Sequence, residues 1–220
     1  NSEYELFEKN SEVQIITSNF NHAIKKYYDT NKEISRKTIF VKVPSYKKNL
    51  ALARLFSHFV FGIRLYMLLM KLNLNPDIIY YTMPPSFGAF ICAKYCRKHK
   101  IKLAIDIIDI WPESLLPLTK YKKLLNMLVF PWGLISRYCY KNANYIFAES
   151  KKYGTFAEKF NKKVKSTPVY LGTDIEKYNY LIKKSTIYLE KNQNEIWICY
   201  AGQLGNSYDF DMILESFKKL

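Results

Sequence analysis

The sequence predicts an α/β protein built on a parallel sheet, because short apolar runs alternate along the chain with longer helical patterns. The runs are apolar on both faces, which is typical of strands in a sheet that helices cover on both sides. Hydrophobic residues make up 49% of the 220 residues. That share supports a sizeable core and excludes a disordered chain.

Six apolar runs are predicted as strands and five longer patterns as helices. The predicted strands are Val13–Thr17, Thr38–Val43, Asp77–Thr82, Lys102–Ile108, Tyr145–Ala148 and Trp197–Ala201. The predicted helices are Leu50–Lys71, Ser86–His99, Tyr121–Asn142, Lys151–Asn161 and Asp209–Leu220. Residues that favour turns or break regular structure mark most strand boundaries, namely Ser18-Asn19, Pro44, Asn75-Pro76, Pro84-Pro85, Glu149-Ser150 and Gly202.

The order of these elements predicts two lobes joined by a linker. Residues 1–165 carry the first five strands and form the first lobe. Residues 166–194 are polar and rich in lysine, which is typical of a connecting segment. Residues 195–220 restart the pattern with a strand, a loop that contains glycine, and a helix. They are therefore predicted to begin a second lobe.

The net charge of +15 favours an anionic partner, which could be nucleic acid, an acidic membrane surface or a phosphorylated substrate. Abundant Lys, Asn, Ile and Tyr also fit an AT-rich genome, which would explain part of the charge without any partner. The basic residues are spread along the chain, and no helix-turn-helix, zinc or RNA-binding motif occurs. A nucleic-acid-binding function is therefore disfavoured.

The four cysteines do not have the spacing of a zinc site or of a redox pair. They are Cys92, Cys96, Cys139 and Cys199. This pattern predicts free thiols in a reducing cytoplasm.

Two apolar helical patterns are candidates for membrane contact. Leu50–Met70 has about the length needed to span a bilayer, but Arg54, His58 and Arg64 interrupt it. Such a helix suits either the surface of an anionic leaflet or the core of the lobe with one wet edge. Leu115–Tyr140 combines lysines with aromatic residues, which is typical of an interface. We expect peripheral attachment to the inner face of the plasma membrane rather than a transmembrane span.

The segment Asp106–Ser114 reads Asp-Ile-Ile-Asp-Ile-Trp-Pro-Glu-Ser and directly follows a predicted strand. Open parallel sheets bind ligands beyond the carboxyl ends of their strands, so Asp109 lies where a ligand is expected. Its carboxylate could bind sugar hydroxyls or orient an acceptor hydroxyl, and Trp111 offers a flat ring for sugar stacking. The alternative is that Asp109 or Glu113 is only a helix cap.

This segment resembles bacterial members of glycosyltransferase family 4 that build surface polysaccharides. Five other stretches resemble the family in the same order, namely Ile15–His22, Pro76–Ser86, Ala143–Ser150, Pro168–Asp174 and Tyr200–Gly205. The resemblance implies a GT-B fold, in which two Rossmann-like lobes enclose the active site. The front lobe would hold a lipid-linked or other saccharide acceptor, and the back lobe a UDP- or GDP-sugar. The implied reaction retains the anomeric configuration and requires no metal.

The resemblance also implies roles for individual residues. Asp109 is the implied catalytic residue on the acceptor side. Acceptor binding is implied for His22, Ser86, Trp111 and Glu113, and the start of the donor loop for Gly202, Gln203 and Gly205. Ser86 is in addition expected to be the N-cap of the following helix.

The chain departs from the family pattern in three respects. Gln203 stands where many relatives have arginine. The family's first strand would precede Asn1, and its paired-glutamate motif would follow Leu220. We therefore expect this chain by itself to be inactive.

Two other interpretations remain open. One is another enzyme with the GT-B fold, such as a sugar-nucleotide epimerase, although those enzymes lack the Asp-x-Trp-Pro-Glu segment. The other is a non-catalytic remnant.

Overall fold

The computed structural model describes residues 11–28, 38–47, 52–114, 122–186, 190–201 and 210–217. The chain divides into two compact units, Asn1–Tyr170 and Leu171–Leu220. In the first unit the strands are β1 (Ile15–Ser18), β2 (Phe20–Asn21), β3 (Lys26–Tyr27), β4 (Thr38–Val41), β5 (Ile78–Met83), β6 (Lys102–Ile107), β7 (Tyr145–Ala148) and β8 (Ser166–Pro168). The helices of that unit are α1 (Leu52–Leu72), α2 (Ser86–His99), α3 (Lys122–Asn142) and α4 (Lys151–Glu158).

A four-stranded parallel sheet, ordered β5-β6-β7-β8, is the centre of the first unit. Helices α2, α3 and α4 connect successive strands of this sheet. The strands β1 and β4 pair in parallel as a separate two-stranded sheet, and β2 and β3 form a short antiparallel hairpin. The prediction of an α/β fold with a Rossmann-like parallel sheet flanked by helices is therefore confirmed.

One hydrophobic core joins both parallel sheets of this unit. It contains Val41 of β4, Leu65 of α1, Ile105 of β6 and Tyr140 of α3. Helix α2 lies so close to β5 that a Cβ atom at Gly88 would overlap the Tyr81 hydroxyl. Glycine at this position therefore permits the contact between the helix and the sheet.

Three short elements of the first unit are not predicted from the sequence. The strands β2 and β3 have two residues each, and β8 has three. Segments this short carry too few residues for a periodic pattern to be visible. The strand β8 lies at the start of the range predicted to link the lobes, and it pairs with β7 as the edge of the main sheet.

The second unit contains two helices within its described residues, α5 (Ile175–Lys184) and α6 (Phe210–Phe217). Asp174 is the N-cap of α5, where its Oδ1 accepts a hydrogen bond from the Lys177 backbone N–H over 2.9 Å. The predicted strand Trp197–Ala201 is not formed, since residues 190–201 are unpaired in the described part of this unit. A strand requires a neighbour for its backbone groups, and the described residues of this unit offer none.

The carboxyl end of α3 depends on one buried side chain beyond α4. Asn161 is 5% exposed, and its Nδ2 group donates to the carbonyl oxygens of Tyr140 and Ala143 over 2.8 and 3.0 Å. Carbonyl groups at the end of a helix have no partner within the helix, so a side-chain donor from outside satisfies them. Asn161 therefore fixes the α3–β7 connection to the segment that leads into β8.

We predict that Asn161→Ala lowers the free energy of unfolding by about 1–3 kcal/mol, because it removes a buried donor from the Ala143 carbonyl and leaves the Tyr140 carbonyl with only the 3.3 Å bond from the Ala143 N–H. The exposed Asn75 provides the control, and Asn75→Ala should change this free energy by less than about 0.5 kcal/mol. Urea unfolding of both variants measures the difference. Equal effects would contradict the role assigned to Asn161.

Candidate functional site

The loops at the carboxyl edge of the main sheet are held by hydrogen bonds that continue the ladder beyond the strands. The Ile108 N–H donates to the Met83 carbonyl over 3.1 Å, and the Glu149 N–H donates to the Ile107 carbonyl over 2.9 Å. A third bond joins Val169 N–H to the Ala148 carbonyl over 2.8 Å. The first residues of the loops after β6, β7 and β8 therefore have fixed positions.

Asp109 lies in the loop after β6 and is half-buried. Its Oδ2 atom accepts a hydrogen bond from the Ser114 hydroxyl over 3.1 Å. The Ser114 N–H in turn donates to the Ile110 carbonyl over 2.8 Å, so the loop closes on itself. One oxygen of the Asp109 carboxylate is thus oriented by its own loop.

Ser136 of α3 contacts both the start of α2 and the loop after β6. Its hydroxyl donates to Ser86 Oγ over 2.8 Å and lies 3.2 Å from the Trp111 carbonyl oxygen. Pro85, not Ser86, is the N-cap of α2, and no side chain caps that helix by a hydrogen bond. The N-cap prediction for Ser86 is therefore wrong, because its buried hydroxyl faces Ser136 instead.

The Trp111 side chain is 7% exposed, so its ring packs inside the unit. A ring that is this buried shapes the loop and offers no open face on which a sugar could stack. The expectation of a flat exposed surface at Trp111 is therefore not met.

Carboxylate and phenol groups that are buried or half-buried lie near Asp109 at this edge of the sheet. Burial raises the pKa of Tyr140, and Glu113, Cys139 and Asp109 raise it further by electrostatic repulsion of the phenolate. Burial also raises the pKa of Tyr153, with additional effects from Asp109 and Glu149. Asp109 and Glu113 thus act electrostatically on Tyr140, and Asp109 and Glu149 on Tyr153. We call these five side chains the carboxylate–phenol cluster.

Two atoms of the carboxylate–phenol cluster are buried without a hydrogen-bond partner among the described residues. They are Glu113 Oε2 and Tyr140 Oη. A buried polar atom without a partner destabilises a fold, and folded proteins keep few of them. The fold alone does not satisfy these atoms, so they are candidates for contact with a ligand.

The carboxylate–phenol cluster has the chemistry of a site for a hydroxyl-rich ligand. Carboxylate oxygens accept hydrogen bonds from hydroxyl groups, and neutral phenols both donate and accept. Within the described residues, no three or more His, Cys, Asp or Glu side chains are grouped as metal ligands. A shallow groove between β4 and α1, lined in part by Ile39, Val41 and Leu68, contains none of the predicted site residues.

The other predicted site residues lie elsewhere. His22 belongs to a second polar group, in which its Nδ1 atom lies 2.6 Å from the Tyr46 hydroxyl. The predicted donor-loop residues Gly202, Gln203 and Gly205 lie outside the described residues. Their role stays a prediction, as do the acceptor-side roles of His22, Ser86, Trp111 and Glu113.

Sequence reasoning did not identify Ser136, Tyr140 or Tyr153 as members of the site. All three lie in helical patterns, where a tyrosine or serine usually belongs to the core or the surface. Their proximity to the loop that carries Asp109 and Trp111 results from the packing of α3 and α4 beside the sheet, which no local pattern reveals.

No family model matches the sequence, and no curated protein matches it. The resemblance to glycosyltransferase family 4 therefore depends on the ordered motifs alone. A function has to be argued from the chemistry of the site together with those motifs.

We predict that Tyr140→Phe leaves the free energy of unfolding unchanged or raises it by up to about 1 kcal/mol, because it removes a buried hydroxyl that has no partner among the described residues. Tyr95 is the matched control, since it is also buried and its hydroxyl donates to the Leu74 carbonyl over 2.6 Å. Tyr95→Phe should lower this free energy by about 0.5–1.5 kcal/mol. A similar loss in both variants, measured by urea unfolding, would show that the Tyr140 hydroxyl is satisfied by the fold.

Proposed function

We propose that this protein is a glycosyltransferase that moves a sugar from a nucleotide-sugar donor to a lipid-linked or other saccharide acceptor, with retention of configuration. The proposed process is the synthesis of a capsule-type or lipopolysaccharide-type surface polysaccharide at the inner face of the plasma membrane. The described first unit would be the acceptor lobe of a GT-B fold.

The observation that supports this proposal most is the carboxylate–phenol cluster at the carboxyl edge of a parallel sheet. Ligands of such sheets bind at this edge, and the cluster offers acceptors and donors suited to sugar hydroxyls. The segment Asp106–Ser114, which carries the resemblance to glycosyltransferase family 4, supplies two residues of that cluster, Asp109 and Glu113, and also Ser114, which hydrogen-bonds to Asp109. The chemistry of the site thus agrees with the function that the motif implies.

We assign to Asp109 the binding and orientation of the acceptor hydroxyl. Its Oδ2 atom is held by Ser114, whereas its Oδ1 atom makes no hydrogen bond to any described residue. An acceptor hydroxyl that donates to Oδ1 would be oriented for attack on the donor sugar, and the carboxylate would stabilise the proton as it leaves the hydroxyl. Ser114 is therefore a positioning residue for Asp109.

The donor side of the reaction is proposed from the resemblance. Gly202, Gln203 and Gly205 would form the beginning of the loop that approaches the donor diphosphate. Glycine permits close approach of backbone N–H groups to phosphate oxygens. The departing diphosphate would then be stabilised by backbone amides and basic side chains in place of a metal ion.

We predict that Asp109→Ala reduces the rate of sugar transfer by the full-length protein about 10²–10⁴-fold, as expected for a group that orients an acceptor and accepts its proton. Transfer of labelled sugar from UDP- and GDP-sugars to a lipid-linked saccharide measures this rate. Asp109→Asn should cause a loss of similar size, because the amide keeps an acceptor oxygen but lacks the negative charge.

Asp106 provides the matched control for the Asp109 variants. It lies in β6, three residues earlier, and its Oδ2 atom accepts a hydrogen bond from the Tyr80 hydroxyl over 2.7 Å. Asp106→Ala should leave the transfer rate within a few-fold of the original. Loss of transfer in both variants would indicate a general defect of the sheet, and unchanged transfer in Asp109→Ala would remove Asp109 from the mechanism.

Contact with the membrane is proposed through the exposed face of α1. By length and composition, one helix among the described residues could cross a membrane, over Ala53–Leu72, and 28% of its most apolar window is buried. Leu65 and Leu69 face the core, whereas Phe56 and Met67 are 59% and 54% exposed. One side of α1 therefore anchors the helix in the unit, while the other is an apolar stripe suited to a bilayer surface.

The apolar stripe of α1 continues at helical spacing along its exposed side. Its large members are Phe56, Phe59, Ile63, Met67 and Met70. The net charge of +15 would add attraction to anionic lipids. A lipid-linked acceptor is anchored in the same membrane, so it would be accessible to the protein at the membrane surface.

We predict that the triple variant Phe56→Gln, Phe59→Gln, Met67→Gln reduces binding to vesicles with anionic lipids at least tenfold, because it removes the apolar groups that insert between headgroups. Flotation of vesicles measures the bound fraction. Three other exposed apolar residues of the unit, each more than 40% exposed, give the control variant Ile78→Gln, Ile108→Gln, Val169→Gln, which should bind almost normally. Protein that stays in the soluble fraction before any substitution would overturn the membrane proposal.

A further inference from the structure

A second polar group lies where β1 and β4 end. His22 and Lys25 are the first and last residues of the turn between β2 and β3, and Tyr46 lies in the segment after β4. Arg54 and His58 belong to the first two turns of α1, whose first turn has no acidic residue. We call these five residues the His22 cluster.

The contacts of His22 involve one ring nitrogen, Nδ1. The ammonium group of Lys25 lies 3.2 Å from this atom and can only donate. The Tyr46 hydroxyl lies 2.6 Å from the same atom. A neutral ring that accepts at Nδ1 carries its proton on Nε2. The Nε2–H group is a donor that these contacts leave available.

Lys25 is held in this cluster by an unusual backbone conformation. Its φ angle is 56°, in the left-handed region that residues with a Cβ atom rarely adopt. Its ammonium group lies 4.9 Å from the centre of the Tyr46 ring. A left-handed residue at this place closes the turn between β2 and β3.

The charged groups of the His22 cluster have the same sign. Burial and, to a smaller extent, repulsion of the charged imidazole by Arg54 and His22 together lower the pKa of His58 to about 4. Burial also lowers the pKa of His22, with smaller effects from Arg54 and Lys25. The cluster therefore gathers cations and N–H donors from the β2–β3 turn and from α1.

We propose that the His22 cluster is a binding site for a phosphate or diphosphate group. Lys25 supplies a point charge, Arg54 a planar fork of N–H donors, and His22 an N–H donor from Nε2. Donors that approach from a turn and from a helix suit a tetrahedral anion with several oxygens. The site lies beyond the carboxyl ends of parallel strands, where such sheets bind ligands. The proposal is independent of sugar transfer, because it concerns anion binding by the first unit.

The histidines allow a direct test by NMR, because the chain has only three of them, His22, His58 and His99. Their ring signals are followed while inorganic pyrophosphate is added to the full chain at constant ionic strength. The signals of His22 and His58 should shift with saturation, and the pKa of His58 should rise, because an adjacent anion stabilises its charged form. His99, which stacks on Tyr95 at the end of α2, should not respond. Equal shifts of all three, or none at millimolar pyrophosphate, would overturn the site.

Charge-removing variants test the same site without relying on histidine titration. Lys25→Gln and Arg54→Gln should each weaken pyrophosphate binding about tenfold or more, because each removes a charge-assisted contact. Lys94→Gln is the matched control, since Lys94 lies over the Phe90 and Tyr138 rings, outside the cluster. This variant should bind pyrophosphate normally. Far-ultraviolet circular dichroism verifies that each variant is folded. Equal weakening by all three would indicate that only net charge matters, and would contradict the site.

The phosphate could belong to a lipid or to a soluble nucleotide, and competition separates these sources. In one arm, phosphatidylcholine vesicles with and without a polyprenyl phosphate compete with pyrophosphate for the NMR shifts. In the other arm, UDP and GDP compete. Competition confined to the lipid arm assigns a lipid phosphate, and competition confined to the nucleotides assigns a soluble donor or product. Absence of competition in both arms would overturn the proposal for phosphate esters. A transferase assay that fails while pyrophosphate still binds would refute only the proposed sugar transfer.

Discussion

The backbone hydrogen bonds of the parallel sheet extend beyond its strands, and the geometry of the candidate site depends on this extension. Ile108, Glu149 and Val169 each donate to the carbonyl of a neighbouring strand end. Loops after parallel strands would otherwise be free to move, because only their first residue is attached to the sheet. Here each loop begins from a fixed backbone, so Asp109 and Glu149 have defined positions relative to each other.

Helix α3 adds the second constraint on this site. The Ser136 hydroxyl contacts Ser86 at the start of α2 and the Trp111 carbonyl in the loop after β6. Asn161 donates to the carbonyl groups at the end of the same helix. Tyr140 lies one turn after Ser136, its own carbonyl and that of Ala143 accept from Asn161, and its side chain is fully buried. The helix is therefore fixed by polar contacts on both sides of Tyr140, which explains how its hydroxyl can be kept in a costly position without a partner among the described residues.

The parts of the fold that sequence predicts well are those in which local pattern and tertiary packing agree. Strand β7 and helix α2 have the predicted bounds, because apolar runs and turn residues mark both ends. The hairpin β2–β3 and strand β8 are too short for periodicity to indicate them, and Trp197–Ala201 has the composition of a strand but no described neighbour with which to pair. For the site, the motif locates Asp109, whereas the proximity of Tyr140 and Tyr153 results from helix packing alone.

The two polar clusters of the first unit have opposite chemistry. The carboxylate–phenol cluster is rich in hydrogen-bond acceptors and matches the hydroxyl groups of a sugar, whereas the His22 cluster is rich in donors and cations and matches a phosphate. Both lie at carboxyl ends of parallel strands, and the two parallel sheets share one hydrophobic core. A saccharide joined to a lipid through a phosphate is an acceptor that presents both kinds of group. The proposed sugar transfer and the proposed phosphate site, although they are tested separately, therefore favour the same class of acceptor.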